Sequence, residues 1–151
     1  MLLAIDTSVI VAGALAGHAF HQRAIVWQAA IHRGEVQAMV CAHALAEVYS
    51  VLSKLPGGLS PAAARVLVSR VARQLRVIAP LQESYLAATE RCASRGLKSG
   101  VIYDALHLIE AERAGADVFL TFNPGDFERL TVGTTPRILV PPDPPSSKLS
   151  P

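Results

Sequence analysis

The chain predicts a three-layer α/β/α sandwich around a central, mostly parallel sheet of four to five strands. Three observations lead there. Short apolar runs, such as residues 2–5 and 116–121, alternate with longer segments of helical period. Glycine or proline punctuates these segments, as at Gly34, Pro56-Gly57-Gly58, Gly96 and Gly115. The chain has 151 residues, 51% of them hydrophobic and 17% charged, enough to cover both faces of a sheet with helices.

Taken in order, residues 2–5 read as a first, central strand ending on Asp6. Asp6 is the only formally charged side chain before Arg23. An ionised group has no place in the middle of a buried strand, so Asp6 belongs at the strand's C-terminal end, where open α/β sheets bind ligands. Thr7 and Ser8 follow as N-caps of a short helix over residues 9–15. Phe20, Ala24, Trp27 and Ile31 fall at helical spacing and predict a helix over 18–33. Residues 35–41 predict a second strand.

A helix over 42–55 follows, with Leu45, Tyr49 and Leu52 as its buried face and Glu47 off that stripe among small and apolar neighbours. Ser60-Pro61 opens the next helix, with serine as N-cap and proline in the first turn. On that helix, Arg65, Arg70 and Arg73, together with Arg76 just beyond it, fall within about 140° opposite the apolar positions. They serve either as a solvated face or as a grip for phosphates. Residues 76–80 predict a third strand, 83–95 a helix, and 101–114 another with Asp104 in its first turn. Residues 116–121 predict a fourth strand, 121–127 a turn, and 137–140 an edge strand. The domain spans 1–140. The proline-rich tail over 141–151 is expected to be disordered or to dock on a partner.

Several functional classes are excluded. There is no Gly-x-Gly-x-x-Gly and no Gly-Lys-Ser/Thr, so no dinucleotide or P-loop fingerprint. The residue two after Asp6 is Ser8, where a haloacid-dehalogenase-type phosphatase needs a second aspartate. A receiver domain needs a lysine late in the chain, and the only late one, Lys148, lies in the proline-rich tail. Cys41 and Cys92, 51 positions apart, match neither a metal motif nor a disulfide framework. No signal or membrane-spanning stretch is convincing, and the protein is expected to be soluble and cytoplasmic. Net charge is +2, from 14 basic and 12 acidic residues, too small a bias to indicate nucleic-acid binding. Eleven of the basic residues are arginine, the type suited to bidentate phosphate contacts.

The acids form the most informative pattern. Asp6, Glu47 and Asp104 are each a lone acid in an apolar or small-residue stretch. Asp126 follows the fourth strand, with Asn123 one turn earlier. Each has an ordinary use as a cap, a solvated helix residue or a turn former. Gathered at one edge of a parallel sheet, however, they would repel one another, and a bound divalent cation would relieve that conflict. Oxygen ligands without clustered Cys or His select a hard ion such as Mg²⁺ or Mn²⁺.

These residues carry a family resemblance. The chain resembles the PIN-domain ribonucleases, specifically the VapC-type toxins of type II toxin–antitoxin modules. The matching pieces are Leu3-Ala4-Ile5-Asp6-Thr7-Ser8, Glu47 on the helix after the second strand, Tyr103-Asp104-Ala105-Leu106-His107-Leu108-Ile109 with Ala114-Gly115-Ala116-Asp117, and Thr121-Phe122-Asn123-Pro124-Gly125-Asp126-Phe127. The resemblance implies a metal-dependent endoribonuclease. Asp6, Glu47, Asp104 and Asp126 would be its catalytic, metal-binding carboxylates, and Mg²⁺ or Mn²⁺ its cofactor. Thr7 or Ser8 would orient Asp6. Asn123 stands where relatives often have aspartate, which leaves the number of ions open. His107, one turn after Asp104, is expected to be a packed or surface residue. The implied partners are an RNA substrate, gripped in part by Arg65, Arg70, Arg73 and Arg76, a VapB-type antitoxin, and a second copy in a homodimer. The alternative is a catalytically inactive PIN-like module that binds RNA or protein.

Overall fold

The computed structural model describes residues 1–141. The predicted disorder of the tail therefore lies, beyond Pro141, outside the described residues. Among the described residues are strands β1 (Leu2–Ile5), β2 (Gln37–Cys41), β3 (Arg76–Ile78), β4 (Val118–Leu120) and β5 (Arg137–Leu139). Helices α1 (Thr7–Ala14), α2 (His21–His32), α3 (Ala42–Lys54), α4 (Pro61–Gln74), α5 (Gln82–Ser94), α6 (Val101–Arg113) and α7 (Pro124–Glu128) connect and cover them.

The sheet has the order β3-β2-β1-β4-β5, and every pairing is parallel. β1 is the middle strand, with Leu2 opposite Gln37 on one side and Leu3 opposite Val118 on the other. Side chains alternate between the two faces of a strand, and the packing follows that rule. Leu3, Ile5, Val40, Val118 and Leu120 face one core with Trp27, Val48, Leu52 and Val71 from α2, α3 and α4. Ala4, Met39, Cys41 and Phe119 face the other core with Ala88, Leu106, Leu108 and Phe127 from α5, α6 and α7. Burial on both faces explains why the strands read as unbroken apolar runs.

Local stop and start signals hold. Ser60 Oγ accepts the Ala63 N–H at 3.2 Å, capping α4 behind Pro61. Gly96 and Gly115 follow α5 and α6 at φ +63° and +71°, the left-handed conformation that favours glycine. Both cysteines are free and buried.

Four details depart from the sequence reading. The N-cap position of α1 is Asp6, and its side chain makes no cap bond; Thr7 and Ser8 lie within the helix. The buried face of α3 is Ala44, Val48 and Leu52, so Tyr49 is exposed, because α3 packs along an i, i+4 stripe of smaller residues. Phe20 precedes α2 rather than packing within it and is 38% exposed. The turn after β4 winds into α7, with Pro124 in its first turn.

Candidate active site

Asp6 sits where β1 ends and α1 begins, and its backbone N–H donates to the Leu120 carbonyl at 3.0 Å. A carboxylate at this depth needs donors, and three elements supply its surroundings. Ser8 Oγ donates to Oδ2 at 2.5 Å from α1, and Thr121 Oγ1 donates to the same oxygen at 2.7 Å from the end of β4. His107 of α6 places Nδ1 3.9 Å from Oδ1. Burial pushes the Asp6 carboxyl up, but His107, Ser8 and Thr121 outweigh it and hold the group below the ordinary carboxylate range. At 3.9 Å the His107 contribution is electrostatic, so Ser8 and Thr121 do the hydrogen bonding.

Glu47 reaches the cleft from α3, half-buried, and accepts the Thr7 hydroxyl at 2.8 Å. Its Oε2 is 3.3 Å from His107 Nε2, and Oε1 is 3.8 Å from His43 Nε2. Asp104 enters from the first turn of α6. Burial pushes its carboxyl up to about 7, with the negative charges of Asp6, Asp126 and Glu47 adding to the shift and His107 opposing it. Asp6, Glu47, Asp104 and Asn123 line one cleft of about 640 Å³ together with Thr7, Ser8 and Phe122. A separate cavity of about 400 Å³ between α1, α2 and α4 contains no acid.

The predicted residues are not equally placed. Asp126, on α7, is 46% exposed at its side chain and pairs with Arg129 at 2.5 Å; its charge is felt at Asp104. Thr7 and Ser8 divide their work, Thr7 holding Glu47 and Ser8 holding Asp6. Asn123 is exposed on the cleft wall. Arg65, Arg70, Arg73 and Arg76 are exposed and none lines this cleft. Arg70 borders the cavity between α1, α2 and α4, and Arg76 borders a hollow beside Leu2 and Gln37.

Two residues take part in a way the sequence reading did not assign. His107, expected from the sequence as a packed or surface residue one turn after Asp104, is packed, 3% exposed, and wedged between Asp6 and Glu47. Thr121, placed by the sequence at the end of the fourth strand and in the turn after it, is a hydrogen-bond donor to Asp6.

The donor set fits a hard divalent cation. Burial and like charge lift Asp104 towards neutrality, the mark of negative charge without a counter-charge. Among the described residues no three His, Cys, Asp or Glu side chains close around an ion position.

Comparison with known proteins agrees with the fold. The PIN domain family model matches residues 3–132. Ribonuclease VapC27 of Mycobacterium tuberculosis is 36% identical over 119 residues, which span 77% of this chain and 81% of that protein. Among solved structures, VapC20 of M. tuberculosis, described as a toxin that cleaves the sarcin-ricin loop, aligns with a TM-score of 0.69 at 21% identity. That alignment covers 86% of this chain and 96% of VapC20. VapBC-1 of nontypeable Haemophilus influenzae aligns with a TM-score of 0.63 at 16% identity, over 93% and 98% of the two chains. Fold, family model and curated relatives coincide, and the chain belongs to the PIN domain family, among its VapC ribonucleases.

Proposed function

We propose that this chain is the toxin of a type II toxin–antitoxin pair, an endoribonuclease that hydrolyses RNA phosphodiester bonds with the help of Mg²⁺ or Mn²⁺. The observation that carries the reading is the convergence of Asp6, Glu47 and Asp104, from three different elements, in one cleft at the C-terminal edge of the sheet. The curated relatives named ribonuclease support the activity.

Asp6, Glu47 and Asp104 would hold the ion, with Asp126 as an outer fourth acid. When bound, the ion supplies Lewis-acid stabilisation of phosphate charge and a more acidic water. The chain's own residues prepare the cleft. Ser8 and Thr121 keep Asp6 ionised and fixed in one orientation, which spares reorganisation when substrate arrives. Thr7 does the same for Glu47. His107, buried between the two acids, places a polar ring where two carboxylates would otherwise meet. Asn123 adds an amide to the cleft wall without adding charge. The expected products carry 5′-phosphate and 3′-hydroxyl ends.

Partners follow from the same reading. A VapB-type antitoxin is supported by likeness to VapBC complexes, and exposed Val51 and Leu55, which line the cleft, offer it apolar contacts. A homodimer and a cytoplasmic location belong to the proposal. No helix among the described residues is long and apolar enough to cross a membrane. Arg65, Arg70, Arg73 and Arg76 remain an outer contact for RNA that runs beyond the cleft.

The test is cleavage of RNA by the purified protein with Mn²⁺ or Mg²⁺ and after chelation. Asp6→Asn and Asp104→Asn should each abolish cleavage while the circular dichroism spectrum is unchanged. Asp126→Asn, exposed and paired with Arg129, should cost less. Full activity of the Asp6, Asp104 double variant would refute the assignment.

A further inference from the structure

Beside the carboxylates lies a group of rings with no part in the chemistry above. Phe20 and Phe122 stack with centroids 4.5 Å apart and 15° between their planes. The Arg23 guanidinium lies 5.6 Å from the Phe20 centroid and 5.7 Å from that of Phe122. His18 tilts against Phe20 and accepts its backbone N–H at 3.1 Å. His18, Phe20 and Phe122 line the same cleft as Asp6, Glu47 and Asp104.

Packing alone leaves two features unexplained. Phe20 is 38% exposed, so its ring is held in order on the cleft wall without being buried. Arg23 has no carboxylate within 4 Å among the described residues, a lack it shares with several other arginines, but it alone of these lies against two rings. A guanidinium resting on aromatic faces keeps its N–H donors available to an anion.

The rings are also in register with the acids. Ser8 Oγ accepts the Phe122 N–H at 3.0 Å while donating to Asp6. Thr121, which also donates to Asp6, accepts the Asn123 N–H at 2.9 Å. Phe122 is thus flanked by backbone held by the two residues that hold Asp6.

We propose that Phe20, Phe122 and Arg23 form a stacking platform for an unpaired RNA base next to the scissile phosphate, with Arg23 gripping a flanking phosphate. The inference rests on the ribonuclease reading and assigns these three residues to the holding of one unpaired nucleotide. A base inside a duplex has both faces covered by its neighbours, whereas an unstacked base has a face to offer. Stacking accepts any base, so the platform selects strandedness before sequence. Arg23 does not line the cleft itself; beside the two rings that do, it places a positive charge next to the carboxylates for a polyanion.

The experiment measures binding of a fluorescent RNA hairpin with an open loop to the full chain carrying Asp104→Asn. That change stops cleavage and leaves the Ser8–Phe122 contact intact. Phe20→Leu and Arg23→Gln are added separately, and the loop is also made with single abasic sites at each position. Each added change should raise Kd about tenfold or more on intact RNA. One abasic position should cost the Asp104→Asn protein a similar factor, and on that RNA Phe20→Leu should add nothing. Phe20→Trp should retain affinity. Unchanged binding by Phe20→Leu and Arg23→Gln overturns the proposal, as does a loss that is the same at every abasic position. An effect of Phe20→Leu confined to antitoxin binding overturns it in favour of a protein contact. If the wild-type chain with Mn²⁺ fails to cleave the intact hairpin while the binding pattern holds, the ribonuclease reading falls and the platform stands as an RNA-binding surface.

Discussion

Thr121 Oγ1 donates a 2.7 Å hydrogen bond to Asp6 Oδ2, joining the ends of β4 and β1 across 115 residues of chain. The bond is buried, and Thr121 is itself fully enclosed. Thr121→Val keeps the shape and removes the donor. Losing such a bond to a charged group costs about 1–3 kcal/mol, and partners of metal-binding carboxylates affect activity by roughly 10- to 100-fold. Thr121→Val should therefore lower RNA cleavage by about that factor, and Thr121→Ser should restore it. The check is kcat/KM for the three proteins beside their thermal melts.

Asp104 makes stability depend on pH in a definite direction. Its carboxyl lies at about 7 in the folded chain, against an ordinary value of 3.8. Between those values the native state keeps a proton that the unfolded state has released, so stability falls as pH rises through that window. Metal-free wild type should lose Tm relative to Asp104→Asn from about pH 4 to about pH 7. Mn²⁺ should reverse the loss at the upper end, since the ion binds the ionised form. Melting curves at stepped pH, with and without Mn²⁺, measure both effects. A wild-type-minus-variant difference independent of pH would show that Asp104 does not feel its neighbours.

His107 separates the charges of Asp6 and Glu47 from within the core. His107→Leu keeps most of the volume but removes both ring nitrogens. Asp6 then loses one of the groups that hold it ionised, and Glu47 loses a polar neighbour. Cleavage should fall at least about tenfold, because small displacements of reacting groups are expensive in rate. The fall should come with weaker Mn²⁺ binding by calorimetry, whereas a purely structural role would lower Tm and leave metal affinity unchanged.

Away from the cleft, Arg91 of α5 and Glu112 of α6 form a two-pronged pair at 2.7 and 2.8 Å. Both side chains are largely buried, at 15% and 22% exposure. Arg91→Ala leaves Glu112 without its partner and should destabilise the fold by about 1–3 kcal/mol. The expected readout is a lower Tm with cleavage per folded molecule unchanged below the transition.

Much of this was legible in the sequence, for reasons that can be named. Short unbroken apolar runs located the strands, as a doubly covered parallel sheet demands, and period-3.6 patterning located the helices. Ser60-Pro61, Gly96 and Gly115 marked helix limits through backbone chemistry that acts locally. Asp6, Glu47 and Asp104 stood out because an isolated charge in an apolar stretch needs a partner or a ligand. The α3 stripe misled, since Tyr49 fits the helical period as well as Val48 does and only the neighbouring helix chooses between them.

By itself, then, the sequence determined the fold class, the order of elements and the identity of three acids, since these depend on periodicity and on the cost of burying charge. The tertiary structure alone decided which donor serves which carboxylate: Ser8 and Thr121 for Asp6, Thr7 for Glu47, and His107 between the two. It also placed Phe20 against Phe122 and set the four predicted arginines away from the cleft. Such pairings join residues up to 115 positions apart. They depend on how parallel strands register and how helices pack over them, and local patterning carries no record of either.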